Sequence, residues 1–156
     1  LVIVLPASLA GATPGGPAQI VAATSVGAFH YRDPLSRAVH VFGQPTSQRT
    51  VDRNFYCRSV WRSLGLTILS FGSCPRASMT IRVTVTGPVW RTLRGLRIGN
   101  SVGRLRSLYP LAHRGATHGT QTRWWVGLGH TLSARVARRQ IVAFDVVWAT
   151  TYTNTF

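Results

Sequence analysis

The sequence predicts an α+β fold, a tandem of two units in which a short helix is followed by an antiparallel β-sheet. Three observations predict it. Asp33 to Gly43 (DPLSRAVHVFG) and Asn100 to Pro110 (NSVGRLRSLYP) share one plan: an N-cap residue type, apolar residues at helical spacing, then an aromatic and a breaker. Both stretches are followed by aromatic, arginine-bearing segments that read as strands. Ser78 to Thr86 alternates cleanly, with Met79, Ile81, Val83 and Val85 on one face and Thr80, Arg82 and Thr84 on the other. That is the pattern of an antiparallel sheet with one wet face. Within the two helical stretches only Arg37 and Arg104 are identical, so duplication rests on the recurring order of features.

The elements follow in order. Residues 1–12 read as a signal-peptide remnant: LVIVLPASLA is an uncharged apolar run, and Ala10-Gly11-Ala12 supplies the small-x-small pattern of a cleavage site at Ala10 and Ala12. The run is too short to span a bilayer. Residues 13–30, rich in Ala, Gly and Pro, read as a flexible linker. The first unit, 31–87, begins with a helix from Pro34 to Phe42, capped by Asp33 with Pro34 at its first position. Strands follow at Phe55 to Arg62, Leu64 to Phe71 and Ser78 to Thr86. In the first of these Tyr56, Arg58, Val60 and Arg62 share one face, and Phe55, Cys57, Ser59 and Trp61 the other. The second unit, 88–150, has a helix from Ser101 to Tyr109, a polar loop from His113 to Gln121, and strands at Arg123 to Leu128, Leu132 to Ala137 and Ile141 to Trp148. The turn Arg138-Arg139-Gln140 lacks the Gly or Asn that a tight hairpin prefers. Residues 151–156 are a polar tail.

Charge is lopsided. All eighteen basic residues are arginine, against Asp33, Asp52 and Asp145, for a net charge of +15. Such a balance favours acidic partners: an anionic envelope component, an acidic protein or nucleic acid. The two cysteines, Cys57 and Cys74, read as a disulfide, as expected of an exported chain working outside the cytoplasm, with two buried thiols or a nucleophile as the alternatives. Closing a loop of that size contributes on the order of 3 kcal/mol.

The residue inventory gives little to catalysis. A glycosidase-type pair needs two positioned carboxylates, and of three available Asp33 is assigned to a cap and Asp145 sits in an apolar strand where it answers an arginine across the sheet. His113 and His118 lie in the polar loop with no Cys, Asp or Glu beside them, short of a zinc ligand set. There is no GxSxG elbow, and a chain without lysine has no GxxxxGK[ST] phosphate loop. No catalytic residue, metal ligand or cofactor is assigned. What remains is a surface: Arg58, Arg62, Arg82, Arg123, Trp125 and Arg135 fall on the faces opposite the apolar ones and would form a basic-aromatic sheet face. The plainer reading is a solvated face whose arginine stems cover the sheet.

The segment GLRIGNSVGRLRSLYP (Gly95 to Pro110), followed by RWWVGL, resembles a motif of small exported proteins from high-GC bacteria. The wider pattern, from roughly Asp33 to Trp148, resembles modules of the BamE/SmpA outer-membrane lipoproteins and of the beta-lactamase-inhibitor-protein fold, a tandem of such units. Gly95, Gly99 and Ser101 carry the match; Asn100 stands where related chains often have Met or Asp, and the lipobox cysteine of the lipoproteins is absent. The resemblance implies non-enzymatic binding of another protein. The expectation is therefore an exported binding protein that contacts a protein or an anionic envelope component through its basic sheet face and does not span the membrane. Polyanion or nucleic-acid binding by charge, with nucleic acid less favoured, and a small exported enzyme are the alternatives.

Overall fold

The computed structural model describes residues 18–53 and 55–148. The Ala10-Gly11-Ala12 cleavage pattern and the 151–156 tail lie outside them. The chain runs β1 (Gln19–Val21), β2 (Ser25–Val26), β3 (Phe29–His30), α1 (Leu35–Phe42), β4 (Ser47–Val51), β5 (Tyr56–Trp61), β6 (Leu66–Phe71), β7 (Met79–Val85), β8 (Arg91–Thr92), α2 (Val102–Leu108), β9 (His113–His118), β10 (Gln121–Trp125), β11 (Leu132–Ala137) and β12 (Gln140–Val147).

These strands do not form two separate helix-plus-sheet units, which corrects the predicted tandem. β7 pairs antiparallel with β12, Thr84 opposite Asp145 and Val83 opposite Val146. The result is one continuous eight-stranded sheet in the order β4-β5-β6-β7-β12-β11-β10-β9. A second, four-stranded sheet (β3-β2-β1-β8) was not predicted at all. The described residues are mostly β, with two helices of about two turns each among them. Hydrophobic periodicity identified the six inner strands of the large sheet but carried no information on their partners, because any one-sided strand can extend a neighbouring sheet as readily as end its own.

The core lies between one face of the large sheet and a layer made by the helices and the small sheet. Ile68, Val83, Val85, Ala134, Phe144 and Val146 come from the large sheet; Ile20, Val26, Phe29, Leu35, Ala38 and Leu105 come from the covering layer. Phe42 at the end of α1 meets Phe29, Trp61 and Trp90 edge-on, with centroids 5.9–6.2 Å apart. The indole N–H groups find carbonyls: Trp61 donates to Gly43 at 2.7 Å and Trp90 to Leu64 at 2.8 Å. These two rings thereby supply large buried area without orphaning their polar ends.

The described part of the 13–30 segment is not a linker. Ile20, Val26 and Phe29 are fully buried, and β1 runs parallel to β8. Strands of two or three residues are too short to show a period against Ala and Gly. The helix caps also shift. Pro34, not Asp33, is the N-cap of α1, and it has no side-chain cap bond. The Asp33 carboxylate instead accepts the His30 backbone N–H at 2.8 Å, closing the preceding turn. Ser101, one residue after the predicted Asn100, caps α2 by accepting the Arg104 N–H at 3.2 Å.

Two backbones cross at Gly65 and Gly87. Gly65 has φ +58°, and a Cβ there would lie 2.2 Å from the Gly87 nitrogen. Thr86 and Gly87 both donate to the Gly65 carbonyl, which locks the start of β6 against the end of β7. Only glycine tolerates both the φ and the approach. Cys57 and Cys74 are disulfide-bonded, tying β5 to the loop after β6. Among the described residues no helix is long and apolar enough to cross a membrane.

Candidate binding cleft

Side chains alternate across each strand, so the face away from the core is fixed once the core face is known. On β5 that outer face carries Arg58; on β6 Thr67 and Leu69; on β7 Arg82 and Thr84; on β12 Asp145; on β11 Arg135; and on β10 Arg123. Register brings them together. Arg58 lies opposite Leu69, and Leu69 opposite Arg82. Thr84 lies opposite Asp145, and Arg123 opposite Arg135.

These residues line one cleft of about 560 Å³. Its walls also include Val51 and Asp52 at the end of β4 and His118 at the end of β9, the two edge strands. In a flat sheet those edges would stand seven strand spacings apart, roughly 34 Å. They line the same cleft because the sheet is strongly curved. Register shifts between Leu69 and Ser70, between Thr122 and Trp124, and between Arg135 and Val136 are the irregularities that bend it.

The electrostatic centre of the cleft is Asp145, only 3% exposed. Thr84 Oγ1 donates to Asp145 Oδ1 at 2.6 Å, and Arg135 Nε pairs with Oδ2 at 2.9 Å. The wholly buried Ser133 lies opposite Asp145, and its hydroxyl has no hydrogen-bond partner among the described residues. Arg123, 6% exposed, stacks over the Trp125 ring with its guanidinium carbon 5.1 Å from the centroid. Burial pulls the Arg123 pKa below the ordinary arginine value; the Asp145 carboxylate opposes this, while Arg82 and Arg135 add to it. The cleft thus gathers Arg58, Arg82, Arg123 and Arg135 around a single buried carboxylate, with Asp52 at the rim.

Of the six predicted surface residues, Arg58, Arg82, Arg123 and Arg135 share this cleft. Arg62 does not line it: β5 ends at Trp61, and Arg62 begins a 3-10 turn whose backbone N–H donates to Thr46 Oγ1. Trp125 is on the correct face but is buried, packed against His130 at 4.6 Å and beneath Arg123, so it supports the site instead of presenting a bare ring. Asp145 meets an arginine across the sheet as its place in an apolar strand suggested, and that arginine is Arg135.

His113 and His118 lie in β9 and not in a loop. His118 lines the cleft, and His113 approaches His130 with ring centroids 5.6 Å apart. Among the described residues no three His, Cys, Asp or Glu gather as metal ligands would. The residues that sequence reasoning missed, Thr67, Leu69 and His118, had a weak signal: the run LTILSF is apolar enough to hide its alternation, and HRGATH is polar enough to pass for a loop.

No protein-family model matches this chain, and no curated protein sequence is significantly similar to it. Among solved structures, an extracellular protein containing an SCP domain from Bacillus anthracis str. Ames is similar at 13% identity and a TM-score of 0.49. The match covers 75% of this chain and 43% of that one, so the chain spans less than half the length of that protein.

Proposed function

We propose that this is an exported, non-enzymatic binding protein that captures an acidic segment of a partner protein or an anionic envelope component in the cleft of its eight-stranded sheet. The observation that carries the reading is the convergence of Arg58, Arg82, Arg123 and Arg135 in one cleft lined from both sheet edges. Arginine matches such a ligand, because its planar fork donates in pairs to carboxylate or phosphate and it keeps its charge when partly buried. Leu69 and the stems of the arginines give the cleft an apolar floor on which a peptide backbone can rest. Export is supported by the Cys57–Cys74 disulfide, which is maintained in oxidising compartments.

The test is titration of the labelled protein with extended Asp- and Glu-rich peptides, followed by NMR. Amides of Thr67, Leu69 and Thr84 should shift, and the response should vanish when Arg58, Arg82 and Arg123 are replaced by Ser. Unchanged binding by that triple variant would remove the cleft from consideration. A second reading, polyanion binding by bulk charge, is favoured by the net charge of +15 alone. It predicts affinity that falls steeply with salt and depends little on which arginines are removed.

A further inference from the structure

The opposite face of the same strands carries a second cavity, of about 710 Å³. Arg123 and Trp124 are neighbours in β10, yet alternation sends Arg123 into the cleft and Trp124 into this other cavity. Four arginines line it: Arg106 from α2, Arg114 from β9, and Arg138 and Arg139 from the β11–β12 turn. No carboxylate does. All three acidic residues are placed elsewhere, Asp33 with His30 and Asp52 and Asp145 at the first cleft, so the described chain has no internal counter-ion to offer.

The turn adds an independent observation. Ala137 pairs with Gln140, leaving a two-residue hairpin loop in which Arg138 has φ +49° and Arg139 φ +65°. These are the two positive φ values that a type I′ turn demands, a geometry in which Asn-Gly is favoured and a long side chain is not. The loop is also held in place: the Arg139 carbonyl accepts the Val102 N–H at 3.1 Å, and Ile141 donates to Asn100 at 2.8 Å. Two arginines occupy positions that local energetics assigns to other residues, and the held turn backbone places both beside Arg106 and Arg114. Trp124, half-buried against the edge of the core, lines the same cavity.

We propose that this cavity binds a small molecule carrying a diphosphate on a ring, with the phosphates among Arg106, Arg114, Arg138 and Arg139 and the ring stacked on Trp124. Four guanidiniums exceed what a single charge needs, and arginine forks match phosphate oxygens. The site is separate from the acidic-segment cleft and does not depend on it.

The experiment is an NMR titration of the intact protein with inorganic pyrophosphate and with a nucleoside diphosphate, reading the Trp124 indole resonance. Both ligands should shift it, and the nucleoside diphosphate should bind more tightly by about fivefold through stacking. The double variant R138N/R139G should weaken both ligands by at least about tenfold. It should at the same time raise Tm, because Asn-Gly suits the turn, so loss of binding is separated from loss of fold. R37S/R76S removes the same charge from exposed positions outside both cavities and should change affinity by no more than about twofold. An equal loss in R37S/R76S, an unmoved Trp124 resonance, or equal affinity for the two ligands would overturn the proposal.

Discussion

The two cavities share strands β9, β10 and β11 but solve opposite electrostatic problems. The sheet cleft holds Arg58, Arg82, Arg123 and Arg135 around Asp145, a carboxylate built into the fold and engaged by Arg135 and Thr84. The cavity beside α2 holds Arg106, Arg114, Arg138 and Arg139 with no carboxylate. In the first, Arg123 is buried and Arg82 and Arg135 are partly so, and this charge is balanced from within by Asp145, while Arg58 is exposed. In the second, the arginines are exposed and water screens them, so they can be left unbalanced at little cost to folding. Stability should therefore respond in opposite ways to loss of charge at the two places, falling when the cleft loses Asp145 and rising when the second cavity loses its turn arginines.

The largest effect should come from Asp145→Ala. It leaves Arg135 without its partner and removes the attraction that offsets the repulsion felt by Arg123 from Arg82 and Arg135. Breaking a buried pair from one side costs about 4 kcal/mol. Urea unfolding should show that loss; a cost below about 1 kcal/mol would mean the cleft arginines are as well hydrated as those of the second cavity.

Next is the disulfide. Replacing Cys57 and Cys74 by Ala should cost about 3 kcal/mol through the freed denatured chain. The bond ties the β5 wall of the cleft and lies away from β9 to β11. Hydrogen exchange should accordingly accelerate in β5 and β6 before it does in β10 and β11. Uniform acceleration would mean that the sheet opens as one unit and that the two cavities cannot be loosened separately.

The R138N/R139G turn has the opposite sign. Relief of two left-handed arginines should stabilise the protein by about 1–2 kcal/mol in the same urea assay. A loss of stability would show that the arginine side chains hold the turn instead of being held by it.

These contrasts mark what the sequence made legible. Faces were legible: the period-two alternation placed Arg58, Arg82, Arg123 and Arg135 on one side of the sheet because a half-buried strand writes burial into every second residue. Partners were not. Nothing in SMTIRVTVT or IVAFDVVW says that β7 meets β12, yet that pairing puts Thr84 opposite Asp145 and fuses the strands into one sheet. Polar edge strands were missed for a related reason: SQRTV and HRGATH bury little and so leave no hydrophobic signature. Curvature was invisible too, since it comes from register shifts that depend on two strands at once. The face could be read, but the cleft could not. The odd turn Arg138-Arg139 was legible as odd; its meaning needed the neighbouring Arg106 and Arg114.

The smallest expected effect sharpens the comparison most. Arg123→Met removes one of four cleft arginines but keeps an unbranched apolar side chain over Trp125. Burial already disfavours the charged guanidinium here, and Arg82 and Arg135 repel it. Removing the charge relieves those costs and forfeits the attraction of Asp145 and the stacking on the indole. These terms oppose one another, so stability should change by less than about 1 kcal/mol. Binding of acidic peptides should nevertheless fall, because the lost donor faces the ligand. Asp145→Ala and Arg123→Met thus delete charges from one cleft with unequal consequences for the fold. If Arg123→Met destabilised as much as Asp145→Ala, the cleft would be an internal salt-bridge network holding the sheet together, and its arginines would have no surplus charge to offer a partner.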